Sequence, residues 1–201
     1  MENLNGIKKA NTDYSIHELI AQRWSPRAFS DKKVEPEKLQ RVFEAARWAP
    51  SAYNAQPWNF LIGYKGDEVW TNVFETLIDF NKQWVKTAPI LALCVAKVKS
   101  EKGANPLAAY DCGQALYAIC IQAEQEGLHV HQMSGFDAQK AAQILDVPED
   151  YQVLTAFVIG YPGDLAQLPE DMQKMEKAPR QRRKVKDFVF TGKFGQQADF
   201  L

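Results

Sequence analysis

Metal-ligating residues are scarce in this sequence of 201 residues, which contains three cysteines and three histidines. Cys94, Cys112 and Cys120 show no Cys-x-x-Cys spacing and lie in apolar stretches, where cysteine acts as a small hydrophobic residue. His129 and His131 provide two imidazoles at most, which is too few ligands for a zinc or iron site. No metal site is expected.

Signature loops for common cofactors are also missing. The chain contains no G-x-G-x-x-G, no Walker A loop, no H-E-x-x-H and no G-x-S-x-G. These absences argue against a Rossmann-type dinucleotide site, a P-loop nucleotidase, a zinc protease and an α/β-hydrolase. Any cofactor must therefore be held by a binding motif other than these four.

Neither the charge nor the hydrophobicity of the chain is extreme. Lys and Arg number 24 against 25 Asp and Glu, so the net charge is −1 and no wide basic field is available for nucleic acid. No run approaches the ~20 apolar residues of a membrane span. Residues 1–15 lack the apolar core of a signal peptide. The sequence predicts a cytoplasmic protein that binds neither nucleic acid nor membrane.

Apolar periodicity predicts an alternation of helices and strands. Helical patterns occupy residues 15–23, 35–49, 67–85, 105–127 and 137–146, and strand patterns occupy 58–66, 88–98, 128–133 and 151–162. Ser15 and Glu18 have the spacing of a capping box at the start of the first helix. We expect one α+β domain over residues 1–201, with a central sheet flanked by helices and an extended, polar and basic segment at 163–201.

The helical pattern at residues 106–126 is apolar around most of its circumference. Ala115 and Leu116 belong to one stripe, whereas Leu107 and Tyr117 lie on other faces. Such a helix is buried in a large core or at a subunit interface. We therefore expect a dimer.

Polar residues suited to a ligand site occur in three stretches. The first contains Arg23, Ser25 and Arg27, two guanidiniums and a hydroxyl flanking a proline. This arrangement suits an anion, because arginine presents a fixed fork to a phosphate or a carbonyl edge. A solvated turn with surface arginines is the alternative.

The second stretch is the turn at residues 50–58, where Ser51, Asn54 and Gln56 stand between two prolines. Their donors and acceptors match the edge of a flat heterocycle with alternating N–H and C=O groups. Alternatively, these side chains satisfy a kinked backbone, as serine and asparagine often do.

The third stretch, residues 177–188, has no acidic residue before Asp187 and carries six basic ones: Lys177, Arg180, Arg182, Arg183, Lys184 and Lys186. A nucleic-acid patch is one interpretation, but no aromatic residue is interleaved among the basic ones. Capture of a single phosphate by a few of them is the other.

Together the three stretches describe a ligand with a phosphate at one end and a hydrogen-bonding ring at the other, as in flavin mononucleotide (FMN). The sequence also resembles the FMN-dependent nitroreductase family. The Arg-x-Ser-x-Arg/Lys motif of that family stands here as Arg23-Trp24-Ser25-Pro26-Arg27. Its Pro-Ser-x-x-Asn-x-Gln-Pro-Trp motif stands here as Pro50 to Trp58, and the resemblance covers residues 14–190.

The resemblance implies a nitroreductase-like fold with a mostly antiparallel sheet, in an interlocked homodimer that binds FMN at the interface. The ribityl phosphate and ribitol would be held by Arg23, Ser25, Arg180 and either Arg182 or Arg183. Arg27 would approach the N1/C2 carbonyl edge of the ring. Trp24 and Pro50 lie within the two cofactor-binding motifs.

The same resemblance assigns Ser51, Asn54 and Gln56 to the flavin bound by the partner subunit. Backbone N–H groups of Ser134 and Gly135 would approach flavin N5. Many family members have Gly-Gly where this chain has Ser134-Gly135.

An oxidoreductase with a ping-pong cycle is the activity that the resemblance implies. NAD(P)H would reduce the flavin, and a small flat acceptor such as a nitroaromatic or a quinone would take the electrons. Flavin N5 carries that chemistry, so no catalytic side chain is required. Alternatives are a flavin carrier or sensor without turnover, and a specialised enzyme of flavin fragmentation or reductive dehalogenation. Substrate-facing residues are expected within 68–87 and 97–105.

Overall fold

The computed structural model describes residues 4–101 and 103–201. Its helices are α1 (Asn5–Lys8), α2 (Glu18–Gln22), α3 (Pro36–Arg47), α4 (Glu68–Thr76), α5 (Asp79–Val85), α6 (Ala108–Gln125), α7 (Ala138–Ile144) and α8 (Glu170–Lys177). Its strands are β1 (Trp58–Tyr64), β2 (Ile90–Lys97), β3 (Lys99–Ser100), β4 (Gly103–Ala104), β5 (His129–Met133) and β6 (Tyr151–Gly160). Single 3₁₀ turns lie at Ala52–Asn54, Leu165–Gln167 and Val185–Asp187. None of the helices in this part of the chain is long and apolar enough to cross a membrane.

The central sheet has the strand order β1–β2–β6–β5, and each neighbouring pair is antiparallel. β2 and β6 occupy the middle of the sheet, which explains why their apolar runs are nearly continuous. A register shift between Cys94 and Val95 interrupts the β2–β6 ladder. The predicted α+β fold with an antiparallel sheet is therefore confirmed.

Helices cover both faces of the sheet. On one face α3 and α6 pack against alternate residues of β2, among them Ile90, Ala92 and Cys94. On the other face α4 and α7 pack against the sheet over Leu91 and Leu93. The three cysteines are free and buried on the α3–α6 side, as their apolar sequence context predicts.

Gly63 marks a very close approach of the sheet to a helix. A Cβ atom at this position in β1 would lie 2.3 Å from the backbone nitrogen and 2.5 Å from the Cα atom of Trp70 in α4. Trp70 is itself buried, stacks on Phe74 and donates from Nε1 to the Ala88 carbonyl at 3.2 Å. Glycine at position 63 is what allows α4 to lie flat on β1.

The helix predicted over residues 67–85 is broken in two. Extended backbone at Leu77 and Ile78 separates α4 from α5. The break lets Leu77 form a β-bridge with Phe136 and lets the Ile78 N–H donate to the Gly135 carbonyl at 3.1 Å. Long-range pairing has therefore overridden a continuous helical pattern.

The first predicted helix begins later than its capping-box pattern indicates. α2 starts at Glu18, and the ring of His17, not Ser15, accepts a hydrogen bond from the Leu19 N–H at 3.3 Å. α6 agrees better with prediction and is followed by Gly127, whose φ of 72° is the left-handed conformation that glycine provides at a helix end.

The segment at residues 163–201 is not extended throughout, because it contains α8. The residues that follow α8 are bound to the other end of the chain. Lys8 Nζ donates to the Ala178 carbonyl at 2.7 Å, and Arg180 Nη1 donates to the carbonyls of Lys8 at 2.9 Å and Ala21 at 3.0 Å. α8 and the residues after it thus form a strap that ties the C-terminal segment to α1 and α2.

Candidate functional site

The loop at residues 23–29, which carries the first polar stretch, is fixed to the sheet. The Ala28 carbonyl accepts from the Gly163 N–H at 2.8 Å. Nδ1 of His131 in β5 lies 2.7 Å from the Pro26 carbonyl oxygen. These contacts hold the loop at the same end of the sheet as the segment that follows β6.

His131 is a neutral imidazole near pH 7. Burial lowers its pKa to about 4; the Pro26 carbonyl opposes the shift, and the charges of Arg27 and Arg23 add to it. The ring lies 4.5 Å from the ring of Trp84, measured between centroids. The proton on Nδ1 is therefore the donor to the Pro26 carbonyl, and His131 positions the loop and does not act as an acid at neutral pH.

Arg23, Arg180 and Arg182 form a cluster of positive charge beside this loop. Burial lowers the pKa of Arg180, the charges of Arg23 and Arg182 lower it further, and Glu124 opposes them. Arg23 Nη1 donates to the neutral Ser25 Oγ at 3.3 Å. Within residues 4–101 and 103–201, none of the three arginines forms an ion pair. Crowded like charges of this kind favour a bound anion.

Arg27 lies in the same loop, but its charge is already paired. Its Nη1 donates to Oε1 of Glu176 at 3.0 Å, and its backbone N–H donates to Oε2 at 3.1 Å. Glu176 is buried in α8, and the Arg27 guanidinium also lies 5.9 Å from the ring of Phe80. The first stretch is therefore not a clamp of two equivalent arginines, since only Arg23 is open to an anion.

Of the two C-terminal alternatives, the geometry favours Arg182 over Arg183. The charge of Arg182 acts on Arg180, whereas the Arg183 guanidinium lies 5.5 Å from the ring of Phe188. A cavity of about 500 Å³ is lined by Arg180, Arg182 and Arg183, together with side chains from residues 10–20. The third stretch thus brings at least two guanidiniums to the Arg23 side of the loop.

The second stretch forms a strained turn. Tyr53, Asn54 and Gln56 have φ values of 53°, 55° and 46°, a left-handed region that residues other than glycine seldom adopt. Ser51 Oγ accepts from the Gln56 N–H at 3.0 Å, and Gln56 Nε2 donates to the Asn54 carbonyl at 3.0 Å. Ser51 and Gln56 therefore satisfy the kinked backbone, as the alternative interpretation stated, whereas the Asn54 side chain is exposed. Backbone strain of this kind concentrates at ligand and partner contacts.

Among the described residues, no hydrogen bond joins the turn at residues 50–58 to the first stretch. Outside the turn, the buried Asp111 of α6 accepts from the Ala52 N–H at 3.1 Å, and the Pro57 carbonyl accepts from the Lys97 N–H of β2 at 2.8 Å. Beside it, an open groove of about 650 Å³ runs between the end of α3 and the outer face of α6. Exposed rings of Trp48, Tyr110 and Tyr117 line this groove, which we call the α3–α6 groove.

Gly135, which follows Ser134 after β5, is packed so closely against Asn81 and Ile78 that an added Cβ would displace their side chains. A Cβ atom there would lie 2.6 Å from Asn81 Nδ2 and 2.7 Å from Ile78 Cδ1. The Gly135 carbonyl accepts from Asn81 Nδ2 at 2.9 Å and from the Ile78 N–H at 3.1 Å. The backbone at this predicted contact is therefore turned towards α5 and held there.

Sequence reasoning did not identify Ile78, Phe80 and Asn81 as part of this site. The Asn81 side chain is buried and also accepts from Trp84 Nε1 at 3.3 Å, whereas Ile78 and Phe80 are half-exposed around it. All three lie within residues 68–87, the range expected to face a substrate. A polar residue inside an apolar helical pattern is the signal that could have identified Asn81.

Comparison with known proteins places the chain in one family. The model of the nitroreductase family matches residues 20–90 and 67–161. A solved structure described as an oxidoreductase containing FMN is 32% identical, covers 98% of this chain and 100% of its own, and superposes with a TM-score of 0.88. An FMN-dependent nitroreductase from Clostridium difficile R20291 is 26% identical, with 73% of this chain and 87% of that chain covered and a TM-score of 0.63.

A curated relative outside nitroreduction is also similar. The iodotyrosine deiodinase of Thermotoga neapolitana is 26% identical over 173 residues, which cover 74% of this chain and 89% of that protein. The family match spans well over half of the chain, and the similarity to a solved structure extends over nearly all of it. The chain therefore belongs to the nitroreductase family.

Proposed function

We propose that this protein is an FMN-dependent oxidoreductase that takes electrons from NAD(P)H and passes them to a flat, electron-poor acceptor such as a nitroaromatic or a quinone. The observation that carries this proposal is the cluster of Arg23, Arg180 and Arg182, none of which forms an ion pair among the described residues. The FMN-containing structure that is similar over nearly the whole chain supports the identity of the anion.

The residues present fit the phosphate end of FMN. Guanidinium groups bind phosphate through charge-assisted hydrogen bonds, and the neighbouring Ser25 hydroxyl suits a ribityl oxygen. Arg23, Arg180 and Arg182 would hold the phosphate. The anion would also relieve the mutual repulsion that lowers the pKa of Arg180.

The ring end of the cofactor would lie between Arg27 and the Ser134–Gly135 backbone. FMN supplies the atom that accepts and releases hydride, so the protein has to bind, orient and shield it. Gly135 admits a close approach of the backbone, and the exposed rims of Ile78 and Phe80 offer apolar contact to a flat molecule.

Loss of FMN from an Arg23→Gln variant tests this assignment. A hydrogen bond to a charged group contributes about 1.5–3 kcal/mol, so the Kd for FMN should rise roughly 10- to 100-fold. Arg183→Gln is the matched control and should leave the Kd within threefold of wild type. Quenching of flavin fluorescence on titration with apoprotein measures both. The assignment fails when wild-type protein binds no FMN, or when both variants bind it equally well.

Steady-state turnover separates an enzyme from a flavin carrier or sensor. NADH and NADPH would each be tested against a quinone, a nitroaromatic and an iodinated phenol. The iodinated phenol is included because of the similarity to an iodotyrosine deiodinase, which makes reductive dehalogenation the second candidate function. Flavin that is bound but never reoxidised by any acceptor would favour the carrier or sensor.

We also propose that the α3–α6 groove is the contact between two copies of this chain. Its exposed aromatic rings and the strained turn beside it lie together on one surface. Stable homodimer interfaces bury ~2,000 Å² or more and resemble a divided core. In this arrangement the turn at residues 50–58 of one copy would reach the flavin of the other.

A Gly113→Arg variant should be monomeric. Gly113 is exposed on α6, lines the groove and has no atom within 4 Å of a Cβ built on it, so arginine does not disturb the single chain. At a packed interface the same side chain would be buried without a partner. Sedimentation velocity at micromolar concentration compares it with Gln125→Arg at the exposed end of α6. A dimeric Gly113→Arg, or a monomeric wild type, would reject the groove as the interface.

A further inference from the structure

We infer that Glu176 is a positioning residue for the flavin ring: it orients the Arg27 guanidinium and offsets its charge, and so sets the balance between oxidised and reduced cofactor. This inference rests on the proposed function and goes beyond it, because the first polar stretch alone suggests a free arginine at the ring. The relevant contact joins residues 149 positions apart in sequence.

The contact between Glu176 and Arg27 involves both carboxylate oxygens. Oε1 accepts from Arg27 Nη1 at 3.0 Å, and Oε2 accepts from the Arg27 backbone N–H at 3.1 Å. Because one bond reaches the side chain and the other reaches the main chain, Glu176 fixes both the loop and the direction of the guanidinium. Glu176 is 1% exposed, so water does not screen the pair from its side.

A second cation faces Glu176 from α1. Lys8 is buried, and burial lowers its pKa while the Glu176 carboxylate opposes that shift. Its ammonium donates to the Ala178 carbonyl at 2.7 Å and lies 5.2 Å from the ring of Trp24. Glu176 is thus the carboxylate whose charge acts on both Arg27 and Lys8.

The ion pair with Glu176 does not occupy the whole Arg27 guanidinium. It remains 24% exposed, and its guanidinium lies 5.9 Å from the half-exposed ring of Phe80. Its buried Nε finds no hydrogen-bond partner within residues 4–101 and 103–201. The ion pair with Glu176 therefore satisfies only part of the guanidinium, and the remainder is available to a ligand.

The positive charge of Arg27 and the negative charge of Glu176 would have opposite effects on the reduced cofactor. Hydride transfer from NAD(P)H to FMN, which delivers two electrons and one proton, would leave one negative charge on the ring. A positive group at the ring edge favours that state, and a carboxylate behind it reduces the benefit. Removing the carboxylate charge should therefore stabilise the reduced form.

A Glu176→Gln variant tests this by its midpoint potential. We expect a shift to more positive potential, with at least a tenfold change in the ratio of reduced to oxidised FMN affinity, or ~30 mV for a two-electron couple. Glu176→Asp keeps the charge and should stay closer to wild type. Glu170→Gln, an exposed substitution in the same helix, should not shift the potential. A purely packing role of Glu176 would move the melting temperature without moving the potential.

Outcomes that overturn the inference are distinct from those that overturn the proposed function. FMN binding with an unshifted potential in Glu176→Gln overturns the inference alone, whereas a wild type without FMN overturns both. When Glu176→Gln does not fold, Arg27→Met/Glu176→Met takes its place. That pair carries no net charge, so its removal should change the affinity ratio less than tenfold, and a larger fall in potential would refute the offset.

Discussion

An Arg27→Ala variant should lose about 3 kcal/mol of unfolding free energy, because the substitution leaves a buried carboxylate without its partner. Glu176 is 1% exposed and would keep only one hydrogen bond, from the backbone N–H of residue 27, and the charge of Lys8. The surviving backbone bond places the expected loss at the lower end of the ~3–5 kcal/mol found for broken buried pairs. Urea unfolding of flavin-free protein at one fixed concentration measures the change.

Two companion variants separate burial from charge in that experiment. Arg27→Met/Glu176→Met replaces the pair with apolar side chains of similar length and should recover most of the loss. Arg47→Ala breaks the exposed Arg47–Glu44 pair of α3 and should cost at most ~1 kcal/mol. Equal losses in Arg27→Ala and Arg47→Ala would mean that Glu176 is reached by water once Arg27 is gone.

A Gly63→Ala variant should be destabilised by about 3 kcal/mol or more, the upper end of the range for overpacked cores. The added methyl would meet backbone atoms of Trp70 at 2.3 Å and 2.5 Å, and backbone cannot rotate away as a side chain does. Either α4 must move off β1 or the strand must bend. The same urea titration measures the loss.

Gly6→Ala is the control for Gly63→Ala. Gly6 is exposed in α1, with no atom within 4 Å of a Cβ built on it. Alanine there should be neutral or stabilise the protein by up to ~1 kcal/mol, because alanine has the higher helix propensity. Unchanged stability in Gly63→Ala would show that α4 and β1 are separated by more than the structure indicates.

Apolar patterns in the sequence predicted those elements whose buried faces are marked by their own neighbouring residues. β2 and β6 were predicted because central strands need apolar residues on both faces, and α6 because its stripe repeats over many turns. The break at Leu77–Ile78 was not predictable, since it is caused by pairing with residues more than fifty positions away. α8 was missed because its apolar positions are few and its face is buried by the other end of the chain.

The candidate site also has a part that the sequence predicted and a part that it did not. The Arg23–Arg27 motif and the turn at residues 50–58 were recognisable because each is contiguous in sequence. The difference between Arg23 and Arg27 was not, because it is made by Glu176 in a helix that the sequence did not predict. The strain at Tyr53 and Gln56 was hidden for another reason: neither residue type signals a left-handed backbone as glycine or asparagine does.

The strap formed by α8 has a consequence for biosynthesis. A nascent chain that has been translated through Gly160 contains every strand of the central sheet, yet lacks Glu176, Arg180 and Arg182. Domains fold as units while translation proceeds, so the sheet can assemble before the last segment emerges. The proposed phosphate site would have to wait for the final part of the message, since Arg180 joins the C-terminal segment to residues near the start of the polypeptide. In the proposed binding mode, FMN would therefore be loaded after translation, and a chain that ends after β6 would lack two of the arginines that hold the phosphate.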